Sequence, residues 1–153
     1  MLMSLTCDAE VNAAMSLKLQ IWPLSQLPGV SHEQVVQLQT LGLNTTEDLL
    51  AQTRAPHELQ GIAKKLQIPL RYPKKWVILA ELSQLPSIGC QYCGLLLHSG
   101  ISSISQLAIA APGRLYNQLR RLHTATLRRS DLCPTPDQVV CWVQEAKQFL
   151  RSR

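Results

Sequence analysis

The chain has 153 residues, 46% hydrophobic and only 16% charged, which suits one globular domain, or two very small ones, with a core of its own. No run approaches the roughly 20 apolar residues of a membrane span, so a spanning helix is not expected. The net charge of +5 hides an asymmetry: residues 1–53 carry one base against five acids, net −4, and residues 54–153 carry fourteen bases against five acids, net +9.

In chain order, the first segment lacks a basic leader and carries Asp8 and Glu10, so it does not read as a signal peptide. The expected compartment is the cytoplasm, where thiols stay reduced. A helix is expected near Cys7–Leu19. A short helix then ends at Leu27-Pro28, and a tight turn holds Gly29-Val30-Ser31. A second helix runs from about Ser31 to Gly42, where glycine can take the left-handed conformation of a helix C-cap. A third starts from Thr45, with Asp48 three residues on, close to a capping box. Pro56 sits where the first turn of a further helix begins. A connecting helix is expected near Pro73–Leu85.

At this point the chain repeats itself. The string LSQLP at Leu24–Pro28 returns at Leu82–Pro86, an offset of 58 residues. At that offset Gly29-Val30-Ser31 faces Ser87-Ile88-Gly89, Leu38 faces Leu96, Gly42 faces Gly100 and Leu49 faces Leu107. The same grammar follows: a helix from about Cys90 to Gly100, another from Ser103 with Gln106 three residues on, then Pro112 in the first turn of the next. The last helix opens with Thr135-Pro136-Asp137-Gln138. Val139, Val140, Trp142, Val143, Ala146, Phe149 and Leu150 then make a wide apolar stripe. No convincing strand is present. The expected fold is all-α and compact: an N-terminal helix (1–20), a first unit (21–72), and a second unit with the C-terminal helix (73–153). The two units are expected to pack together, because each alone has little core.

A helix, a tight Leu-Pro-x-Ile/Val-type turn and a second helix resemble the helix-hairpin-helix superfamily, at Leu27-Pro28-Gly29-Val30 and at Leu85-Pro86-Ser87-Ile88-Gly89. The stretch from Lys75 to Leu150 goes further. Trp76, Leu82, Ile88-Gly89, Tyr92, Leu95-Leu96, Gly100-Ile101, Leu107-Ala108, Leu115, Leu119, Pro136, Val139, Trp142 and Ala146-Lys147 are similar to the pattern of a bacterial family of unknown function, frequent in cyanobacteria and built from such repeats. The resemblance implies tandem helix-hairpin-helix repeats and binding rather than a reaction. It also implies that the backbone N–H groups of Gly29, Val30, Ser31, Ser87, Ile88 and Gly89 offer an anion a place at a helix N-terminus. In the nucleic-acid-binding versions that anion is a backbone phosphate, a contact that positions without reading sequence. This chain departs from those versions. Each turn keeps one glycine and has serine for the other, and no base follows either turn. Glu33 stands where it would repel a phosphate.

The bases offer a separate attraction. Lys64, Lys65, Lys74 and Lys75, near Arg54 and Arg71, form a middle cluster; Arg114, Arg120, Arg121, Arg128 and Arg129 follow with no acid between them. Such clusters are either a footprint for polyanions or a solvated face. Two functions follow from the sequence. One is a non-enzymatic module binding DNA or RNA backbone weakly and without specificity through the basic C-terminal half. The other is a protein-interaction or assembly adaptor that has lost the phosphate contacts.

Catalytic and metal chemistry find no support in the spacing. The five cysteines include one C-x-x-C, Cys90 to Cys93. Zinc commonly needs a second such pair, and a thioredoxin-type redox role expects a βαβ pattern. Cys93 faces Val35 across the repeat, which favours a small buried side chain over a metal or redox role. Cys90, at a helix N-terminus, is expected to be the more reactive thiol. His32, His57, His98 and His123 join no nucleophile signature, and no phosphate-binding P-loop exists. No cofactor, metal or enzymatic activity is expected. Trp22, Trp76 and Trp142 are expected on helices in apolar stripes, with Trp76 the candidate for base stacking because it follows Lys74-Lys75.

Overall fold

The computed structural model describes residues 18–126 and 133–151, the side chains of 123–126 excepted. Among them are a 3-10 turn at Leu24–Gln26 and eight α-helices: α1 (His32–Thr40), α2 (Thr46–Gln52), α3 (Pro56–Leu66), α4 (Arg71–Ser83), α5 (Gly89–His98), α6 (Ile104–Ala108), α7 (Pro112–Thr126) and α8 (Pro136–Arg151). The described residues contain no strand, only an isolated bridge between Pro23 and Thr45.

Local chemistry sets the helix ends. Ser31 and Gln34 form a full capping box at α1, and Thr45 and Asp48 do so at α2. The backbone N–H groups of Asn44 and Thr45 donate to Asp48 and hold its carboxyl below the usual value. At α6 the Ser103 hydroxyl accepts from the Gln106 N–H, while the Gln106 side chain turns back to Ser102 and Gly100. Thr135 and Gln138 cap α8 reciprocally.

Helices α1 and α5 stop in the same way. Past α1, Leu43 N–H donates to Leu38 and Gly42 N–H to Gln39, with Gly42 at φ +82°. Past α5, Ile101 N–H donates to Leu96 and Gly100 N–H to Leu97, with Gly100 at φ +102°. Both are Schellman endings. Each tucks a buried apolar residue (Leu43, Ile101) under the last turn it closes. These endings, the Thr45 and Ser103 capping hydroxyls and the starts of α2 and α6 recur at the 58-residue offset; the Ser31 cap does not, since Gly89 stands in its place and α5 has no side-chain cap.

Helix α4 joins the halves. It packs against α2, α3 and α5, while α8 lies on α6 and α7. Trp76, Leu79 and Leu82 of α4 are fully buried, as are Leu38 and Leu49 in the first half and Leu96, Leu107, Leu119 and Trp142 in the second. All belong to one contiguous apolar cluster. Each such side chain stabilises the fold by about 1.5–3 kcal/mol.

Two expectations change. The short helix before Leu27 is only the 3-10 turn, because Pro23 and Pro28 leave room for a single turn between them. Trp22 is not helical; it straps the halves together. Its indole N–H donates to the Ser83 carbonyl at 2.9 Å, and its backbone exchanges hydrogen bonds with Thr46. Gln20 N–H donates to the Gln84 carbonyl at 2.8 Å, tying the same strap to the end of α4. The helix expected near Cys7–Leu19 lies outside the described residues except for Lys18 and Leu19, which carry no helix.

Candidate nucleic-acid interface

The first turn, Gly29-Val30-Ser31, lies at the surface. Gly29 and Ser31 are exposed, and Gly29 takes φ +82°, which favours glycine. Pro28 packs against α5: a Cβ added to Gly94 would stand 3.2 Å from its ring. A Cβ added to Gly29 would meet the Lys75 ammonium at 3.3 Å. A cation from α4 therefore stands beside the turn, although none follows it in sequence. Against it, Ser31 N–H already donates to the Gln34 side chain, and exposed Glu33 sits in the first turn of α1.

The second turn is differently placed. Ser87 N–H donates to Glu145 Oε1 at 3.1 Å, and the Ser87 hydroxyl donates to Glu145 Oε2. The Ser87 carbonyl accepts from Trp142 Nε1 at 3.0 Å. The N–H groups of Ile88 and Gly89 both donate to the Leu85 carbonyl. Ile88 and Gly89 are buried, and Gly89, at φ +54°, lies under the Trp22 ring, 3.0 Å from where its Cβ would be. The backbone donors of this turn thus face the protein.

The bases lie mostly in solvent. Lys64, Lys65 and Lys74 are exposed, as are Arg114, Arg120 and Arg121 on α7, while Lys75 is half-buried. Lys64 and Lys65 also occupy the last turn of α3, where positive charge suits the helix dipole. Arg71 stacks over the Tyr72 ring at 5.1 Å. Arg128 and Arg129 lie outside the described residues. Trp76 is fully buried and offers no stacking face.

The Cys90–Cys93 pair is chemically quiet, whereas Cys141 is disulfide-bonded, against the expectation of reduced thiols. Cys93 is fully buried on α5, and burial pushes its thiol up to about 12, with Cys90 adding to the shift. The Cys90 thiol rises to about 11 for the same reason, so the reactivity expected from its helix N-terminus is overridden by desolvation. No group of three or more His, Cys, Asp or Glu side chains able to hold a metal occurs among the described residues.

Two residues escaped the sequence reading. Lys75 was legible as part of a cluster but not as the neighbour of Gly29, 46 positions away. Glu145 carried a signal that went unused: it lies three residues after Trp142 and four before Phe149, on the apolar stripe of α8, where a charge needs a buried partner.

Residues 28–149 match the model of a domain of unknown function, DUF4332. No curated protein and no solved structure matches the chain.

Proposed function

The chain belongs to the DUF4332 family, a domain of unknown function, and we propose that it is a non-enzymatic binding module that grips nucleic-acid backbone weakly through its basic C-terminal half, without reading sequence. Residues 21–72 and 73–153 are on this reading two tandem helix-hairpin-helix units, the second with the C-terminal helix. The matching Schellman endings and the Thr45 and Ser103 caps at an offset of 58 residues support it. The observation that carries the binding proposal is the first turn: exposed Gly29 at φ +82° lies two residues before the Ser31 N-cap of α1, with the Lys75 ammonium beside it. The exposed lysines of α3 and α4 and arginines of α7 supply the wider attraction.

The test is a titration with labelled single- and double-stranded DNA and RNA at low and moderate salt. The expected result is binding to all of them, with log affinity falling by about 0.7–0.9 per log unit of salt for each phosphate contacted. Lys75→Ala, and separately Arg120→Ala with Arg121→Ala, should lower affinity and flatten that slope. No binding at low salt would overturn the proposal. That outcome would leave a protein-interaction adaptor, the reading favoured by Glu145 filling the second turn and Glu33 flanking the first.

A further inference from the structure

Glu145 is a buried carboxylate. It is only 3% exposed, on the face of α8 that also buries Trp142, Ala146 and Phe149. A charge taken out of water persists in a fold only where donors replace its hydration. Ser87 supplies two of them, its backbone N–H to one carboxylate oxygen and its hydroxyl to the other. The Ser87 carbonyl is held by the Trp142 indole, whose ring packs on Tyr92 at 5.0 Å between centroids. One residue of the turn thus directs an N–H and an O–H at a single carboxylate, and its remaining polar group fixes the helix that carries that carboxylate. Behind the turn stands the N-terminus of α5, a ten-residue helix whose dipole adds positive potential.

We infer that the turn at Ser87 is a carboxylate-sized anion seat whose resident ligand is the chain's own Glu145. The pairing spans 58 residues of sequence and locks α8 onto the turn between α4 and α5. Because α8 also buries Val139, Trp142, Val143, Ala146 and Phe149, the seat is not vacated for an external polyanion. It admits a small carboxylate such as formate or acetate only when the Glu145 side chain is cut back. The inference holds whether or not the protein binds nucleic acid, and its test uses none.

The experiment is thermal unfolding of the full chain at constant ionic strength in sodium chloride, formate or acetate, for wild type, Glu145→Ala and Glu145→Gln. Glu145→Ala strands the Ser87 donors and should lower Tm by about 5–10 °C in chloride. Formate should restore a large part of that loss and acetate somewhat less, while wild type responds to the three salts alike. A Glu145→Ala protein that gains no more from formate than wild type does would overturn the inference. Should that variant fail to fold, Glu145→Gln decides. It keeps the shape and one acceptor oxygen but not the charge, so it should melt below wild type and lose the downfield position of the Ser87 amide proton. A Glu145→Gln protein as stable as wild type with an unmoved Ser87 amide would show that the seat does not hold an anion.

Discussion

At the scale of single residues, burial decides what the side chains can do. Cys90 stands at a helix N-terminus, which favours thiolate, yet desolvation wins and its thiol sits near 11. At pH 8 only about one Cys90 in a thousand is then thiolate, against about one in ten at the ordinary value of 9.0. Iodoacetamide at pH 8 should therefore label Cys90 about 100-fold more slowly than it labels the unfolded chain; equal rates would refute the burial argument. The sign of the linkage follows. Both thiols are raised, so stability is intact below about pH 9 and falls as pH rises towards 11, where unfolded thiols ionise first. The C-x-x-C was legible in sequence, and its inertness came from the repeat, which sets Cys93 opposite inward Val35. The tryptophans separate on a single atom. Trp76 and Trp142 are equally buried, but Trp142 Nε1 donates to Ser87 while Trp76 Nε1 has no partner among the described residues. Trp142→Phe should thus cost more than Trp76→Phe by about 1–3 kcal/mol in urea unfolding, because it orphans a carbonyl that was satisfied. Equal losses would mean that the Ser87 bond contributes nothing.

At the scale of elements, glycine position is the clearest lever. Gly42 and Gly100 hold positive φ with nothing within 4 Å of an added Cβ, so an alanine there costs only the left-handed backbone, about 1–2 kcal/mol. Gly61, inside α3, also has open space around it but no positive φ, and Gly61→Ala should stabilise by about 0.5–1 kcal/mol. Denaturant midpoints of the three variants should move in opposite directions as stated; a stabilising Gly100→Ala would contradict the C-cap geometry. The same elements show why helix ends were readable. Ser31, Thr45, Ser103, Thr135 and the two glycines act on backbone groups within a few residues, so their chemistry is written next to its target. The strap was not readable, because Trp22 is held by Thr46 and Ser83, 24 and 61 residues away.

At the scale of the whole molecule, an all-helical fold with an acidic first third and a basic remainder was legible in the sequence, and the use of the second turn was not. Composition and periodicity report local pattern, whereas the Ser87–Glu145 pair and the Lys75–Gly29 approach exist only once the helices are packed. The packing also decides whether the two halves are separate bodies. One apolar cluster runs from Leu38 and Leu49 through Trp76 and Leu79 to Leu107 and Trp142, and α4 supplies its middle. A core shared in this way melts as a unit, because opening either half exposes α4 side chains that belong to the one cluster both halves complete. Leu79→Ala, at a site with no exposure, should cost about 2–5 kcal/mol. Its effect should lower the helical circular-dichroism transition and the tryptophan-fluorescence transition by the same amount, since Trp22 and Trp142 report on both sides of the cluster. Two resolved transitions, or a shift confined to one probe, would show instead that the halves unfold independently and that α4 belongs to only one of them.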